Sequence, residues 1–89
     1  MKPVVFTLHA RQEMVERSAT DAEVIGAIRD GPWHSARSGR YRTTKWYPFR
    51  QTNRGRFYAG KDVQPIFADE SDQIVVVTVY VYLNQLEEP

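Results

Sequence analysis

The sequence predicts an α+β fold in which two N-terminal helices pack on a three- to four-stranded antiparallel sheet, and three observations carry that prediction. Residues 8–30 repeat their apolar positions at a helical spacing, punctuated by caps. The C-terminal half changes to a period of two, with long β-branched runs. At 89 residues the chain supports one hydrophobic core, so residues 1–89 form a single domain.

The first helix spans residues 8–17, with Thr7 as its N-cap. Leu8, Ala10, Met14 and Val15 fall on one broad arc and are expected to face the core; His9, Glu13, Glu16 and Arg17 fall on the other. Arg11 lies inside the apolar arc, so its guanidinium snorkels or the stripe bends there. The second helix opens on the capping box Thr20-Asp21-Ala22-Glu23, places Val24, Ile25 and Ile28 on one face, and stops at Gly31-Pro32. Residues 74–82 form the clearest strand, with Val75, Val77, Val79 and Val81 on one face and Val76, Thr78, Tyr80 and Tyr82 on the other. Apolar residues on both faces predict a central strand, hydrogen-bonded on both edges. Its partner is 63–68, joined by the acidic turn 69–72. Pro65 either keeps that partner from a central position or turns its missing N–H toward an unpaired side. Two further strands are expected at 40–47 and 56–61, separated by Pro48 to Gly55.

Composition narrows the function. An apolar share of 42% and a charged share of 26% describe a globular chain. No apolar run approaches the roughly 20 residues that span a bilayer, and the N-terminus turns polar too early for a secretory signal, so no membrane partner is expected. The absence of cysteine excludes disulfide scaffolds, thiolate metal sites and cysteine nucleophiles, and suits a cytoplasmic protein. No histidine-rich cluster, glycine-rich phosphate loop or serine-nucleophile pattern is present, so no metal or cofactor is expected.

The net charge of +1 hides a strong segregation. Residues 1–30 carry four basic and five acidic side chains, residues 62–89 carry six acidic and no basic ones. Between them, Arg37, Arg40, Arg42, Lys45, Arg50, Arg54, Arg56 and Lys61 are accompanied by no acid at all. The same segment holds seven of the eleven aromatic residues, Trp46 among them. Cations interleaved with flat rings suit RNA, where charges meet phosphates and rings stack on unpaired bases. A sheet with one aromatic core face and one solvated cationic face would produce the same composition. His9, Glu13 and Arg17 form a row at helical spacing, able to hold an anion and exchange a proton with it; a simple Glu13–Arg17 ion pair accounts for two of the three. His34, in the loop after the second helix, is a weaker candidate.

Three stretches, His9-Ala10-x-x-x-Met14-x-x-Arg17, Thr20-x-x-Glu23-Val24-x-x-Ala27-Ile28 and Val76-Val77-Thr78-Val79-Tyr80, resemble a bacterial domain family of unknown function, number 4258. The resemblance implies a RelE-like fold, shared with the barnase, EndoU and colicin group of metal-independent ribonucleases and toxins. It also implies His9 as the helix histidine, Arg17 as its basic companion and Thr78 as the polar residue of the last strand. Two positions depart from the family pattern: Glu13 stands where an arginine is usual, and Ser18-Ala19 where Gly-Ile is usual.

Cleavage of RNA through its 2′-hydroxyl needs a base, an acid at the leaving oxygen and cations on the phosphorane. On this reading His9 carries a proton, Arg17 and Arg56 supply the cations, and Thr78 donates a hydrogen bond to phosphate. Arg37, Arg40, Arg42, Lys45, Trp46, Arg50, Arg54 and Lys61 bind the rest of the RNA. An antitoxin or immunity protein is the second expected partner. The competing class is a non-catalytic module that binds RNA, an antitoxin or a ribosome.

Overall fold

The computed structural model describes residues 1–88. Its elements are β1 (Val4–Phe6), α1 (Leu8–Arg17), α2 (Asp21–Asp30), β2 (His34–Ser35), β3 (Tyr41–Arg42), β4 (Lys45–Asn53), β5 (Arg56–Asp69) and β6 (Ile74–Asn84), with a 3-10 turn over Arg37–Gly39. They make an α+β fold with both helices against one mixed six-stranded sheet.

Both helices start and stop where their caps require. The Thr7 hydroxyl accepts from the Ala10 N–H, and Ser18 closes α1 in the left-handed conformation. Both reciprocal bonds of the Thr20–Glu23 capping box are present, and the Gly31 N–H returns to the Ala27 carbonyl. Thr20→Ala should therefore lower stability by about 1 kcal/mol, read as the midpoint shift in urea; a midpoint within error of the parent would show that the cap is redundant. Of the two outcomes its position allowed, Arg11 snorkels: its exposed guanidinium lies 4.2 Å from the Phe6 ring centroid and pairs with Asp21.

The buried stripe of α1 differs from the expected arc. Leu8 and Val15 are 75% and 83% exposed, whereas Ala10, Glu13 and Met14 are buried. Buried positions follow the i, i+3, i+4 spacing, but on a stripe that includes a carboxylate. Glu13 is accepted there because it finds hydrogen-bond partners, described below.

The long central strand is β5, which merges the two expected strands 56–61 and 63–68. On one side its Gly60–Asp69 stretch pairs with β6; on the other β4 covers Arg56–Val63 and β3 covers Ile66–Phe67. Pro65 lies in the break between β3 and β4, where its carbonyl accepts the Thr43 N–H and no N–H is asked of it. The expected strand 40–47 splits at the same break: Thr43 is buried and its hydroxyl reaches the Ala27 carbonyl at the end of α2. The expected loop from Pro48 is mostly strand. β4 is an edge strand that tolerates Pro48, bulges at Phe49-Arg50, and turns through Arg54 and Gly55 alone, both at positive φ.

Two further expectations are corrected. The sheet is not purely antiparallel, because β1 pairs parallel to β6 (Val4↔Ile74 to Phe6↔Val76). A three-residue strand has no period to read; it is held in place by α1, since the Thr7 N–H and hydroxyl bind the Val76 and Val77 carbonyls. Strand 74–82 is accordingly paired on both edges only at its start, and β5 holds the centre. Val77 is the extra residue of a bulge, since Phe67 faces Val76 while Ile66 faces Thr78. That residue reverses the alternation: Ile74, Val76, Val79 and Val81 all belong to the core, with Phe67, Val63, Val24, Ile28 and Met14.

Gly60 illustrates how tightly the other face is packed. A Cβ there would sit 2.1 Å from the Trp46 indole, so only glycine lets that ring lie on the strand.

Candidate active site and nucleic-acid interface

Beyond β1, the outer edge of β6 is closed by side chains of α1. Glu13 accepts the Val79 N–H through Oε1 at 3.0 Å, and Arg17 donates to the Val79 carbonyl at 2.7 Å. The two residues also pair with each other at 2.8 Å, so together they replace one rung of a neighbouring strand. The His9 Nε2 atom lies 3.4 Å from the same Oε1. Imidazole and guanidinium thus converge on one carboxylate from opposite ends of a helical row. Glu13 is nearly inaccessible while the His9 side chain is 65% exposed, which leaves the imidazole open to a ligand.

The row anticipated from His9, Glu13 and Arg17 is therefore assembled, with Glu13 and Arg17 turned to the sheet edge and His9 largely open to solvent. Thr78 adjoins it in sequence, sharing its peptide bond with Val79; the threonine is half-buried and pairs with Ile66. The Arg17 guanidinium lies 5.5 Å from the Tyr80 ring centroid, and Tyr80 stacks on Tyr82 at 6.3 Å.

At the C-terminal end of α1 the row opens into a cleft of about 240 Å³. Glu16, Arg17 and Ser18 form its helical wall; Phe49 and Asn53 of the hairpin, with Val81 and Leu83 of β6, form the rest. Arg56 is the register partner of Asn53, which places the chosen strand arginine on the hairpin beside this cleft. It does not join the Glu13 cluster, where Arg17 is the cation.

The eight basic residues of the middle segment do not make one patch. Arg50, Arg54 and Arg56 are exposed on the β4–β5 hairpin, and Arg37, Arg40 and Arg42 are exposed around the 3-10 turn and β3. Arg42 pairs with Ile66, ten residues along β5 from Arg56, or roughly 30 Å of strand. None of these six arginines pairs with a carboxylate among the described residues.

Three members of the expected binding set have other duties. Lys61 is only 6% exposed and donates to the Ser18 carbonyl and to Glu23, so it is a core cation rather than an RNA contact. Lys45 pairs with Asp30; that hydrogen bond raises the lysine's pKa, and with Arg29 it lowers that of Asp30. Trp46 is half-buried over Gly60, and its Nε1 has no partner among the described residues. Trp33 likewise packs edge-on to Phe67 and donates to the Ile28 carbonyl. The Tyr47 hydroxyl donates to the Glu23 carbonyl, and burial raises its pKa. His34 is exposed on β2 opposite Arg42, away from the Glu13 cluster.

Sequence reasoning missed the cleft. Phe49, Asn53, Val81 and Leu83 carry no motif and meet Glu16 only because the hairpin and α1 lie over the same end of the sheet.

Among the described residues no helix is long and apolar enough to cross a membrane. The family model described as "Domain of unknown function (DUF4258)" matches residues 6–81, and the chain belongs to that family. No curated protein and no solved structure matches it.

Proposed function

We propose that this member of the 4258 family acts on RNA as a metal-independent ribonuclease of the toxin type, with a RelE-like arrangement of helices and sheet. The observation that carries the reading is the convergence of an exposed imidazole and a guanidinium on one buried carboxylate, next to a hairpin bearing three arginines without acidic partners. Glu13 favours the tautomer with its proton on Nε2, which leaves Nδ1 free to accept one. His9 then takes the 2′-hydroxyl proton as the 2′-oxygen attacks phosphorus. The P–O5′ bond breaks to give a 2′,3′-cyclic phosphate, and the 5′-oxygen takes a proton from water. Arg17 stabilises the charge of the phosphorane, and Arg50, Arg54 and Arg56 hold the strand. An antitoxin or immunity protein remains the partner proposed for a protein of this type.

A second reading, RNA binding without cleavage, is favoured by one specific feature. Arg17 is already neutralised by Glu13 and hydrogen-bonded to Val79, which reduces the charge it can offer a phosphate.

Incubation of purified protein with RNA in EDTA separates the two. Cleavage is expected, with His9→Ala slower by about 100-fold or more and binding affinity changed by less than about twofold. Binding without cleavage selects the second reading. Loss of all RNA binding, or cleavage undiminished in His9→Ala, rejects the assignment.

A further inference from the structure

We infer that the cleft between the end of α1 and the β4–β5 hairpin is a base pocket selective for guanine; the inference rests on the RNA reading above and gives it a sequence preference. At about 240 Å³ the cleft falls below the usual range for drug-sized ligands, so it takes one planar ring rather than a longer molecule. Phe49, Val81 and Leu83 supply apolar walls, of which the Phe49 ring is the stacking surface.

The polar groups decide which base fits. Glu16 is an acceptor only, and it forms no ion pair among the described residues despite the arginines of the hairpin. Arg17 is a donor only. Its Nη1 serves Glu13 and Val79, while Nε and Nη2 have no acceptor among the described residues. Guanine presents two adjacent donors, N1–H and N2–H₂, for the Glu16 carboxylate, and its O6 accepts one free Arg17 N–H, which leaves the remaining N–H groups of that guanidinium for the phosphate. Adenine instead turns the N1 lone pair toward Glu16, and a pyrimidine offers the carboxylate no ring N–H adjacent to an amino group. Asn53, with both a donor and an acceptor, discriminates less.

The test uses six-nucleotide 2′-O-methyl oligouridines carrying one central guanine or adenine, which cannot be cleaved through a 2′-hydroxyl, and reads affinity by fluorescence anisotropy. The guanine oligomer is expected to bind about tenfold more tightly. Glu16→Gln, an exposed change on α1, should bring the two within about twofold. Arg54→Glu should weaken both alike, since phosphate contacts carry no base information. Equal affinities in the parent protein, or a preference that survives Glu16→Gln, would overturn the pocket while leaving the RNA reading intact. Binding of neither oligomer would remove the RNA reading itself, and the pocket with it.

Discussion

Glu13→Ala should lower the unfolding free energy by about 3 kcal/mol and, at about 4–8 °C per kcal/mol for a domain this size, the Tm by roughly 12–24 °C. The carboxylate is buried and serves three groups: the Val79 N–H, Arg17 and His9. Its removal leaves the Val79 amide buried without an acceptor and Arg17 beside the sheet edge without its counter-charge. Arg17 is partly solvated, which keeps the loss below that of a fully enclosed pair. Glu13→Gln retains an acceptor for the amide and should lose about half as much. Thermal melts of the two variants measure both contributions, and a Tm within about 3 °C of the parent for Glu13→Ala would show that the edge is closed by other means. On the ribonuclease reading, Glu13→Gln should also slow cleavage while RNA affinity stays constant, because the amide oxygen keeps the imidazole contact but offers no counter-charge to the imidazolium formed when His9 takes the proton.

Lys61→Ala should cost about 3 kcal/mol, a loss larger than any expected from the exposed arginines. The ammonium ties the left-handed residue that ends α1, through the Ser18 carbonyl, to the first turn of α2, through Glu23. Truncation leaves the half-buried Glu23 carboxylate with its Thr20 N–H but without its counter-charge, and frees the corner between the helices. Urea midpoints read the loss, with Arg40→Ala as an exposed control expected within about 0.5 kcal/mol of the parent. Equal midpoints for the two variants would return Lys61 to the set of surface cations.

Local chemistry accounts for what could be read correctly. Thr7, the Thr20–Glu23 box and Gly31-Pro32 specify helix ends through bonds made within a few residues, and both helices lie where those signals place them. The run from Ile74 to Tyr82 could only be extended, and the acidic stretch Asp69 to Asp72 marked the turn, which closes one residue later, over Glu70 to Gln73. The spacing of His9, Glu13 and Arg17 was equally local, so their meeting followed from helical geometry. The hairpin at Arg54-Gly55 left a weak trace, because arginine is not a usual residue at positive φ.

The direction in which those elements face was decided elsewhere. On hydropathy alone, α1 should bury Leu8 and Val15; it buries Glu13 because the unpaired edge of β6 supplies a buried amide whose satisfaction outweighs the exposure of two aliphatic side chains. One extra residue, Val77, exchanges the faces of β6 without altering its propensity. The acid-free segment 31–61 contributes two arginine clusters, one buried lysine and one paired lysine, a division set by where β3, β4 and β5 lie in the sheet. The sequence by itself determined the helices, their caps, the principal strands and the local row of reactive side chains. The tertiary structure alone decided which stripe is buried, which cations are free and where the cleft opens. Hydrogen bonds between near neighbours are written in short patterns, whereas burial depends on partners that lie distant in the chain.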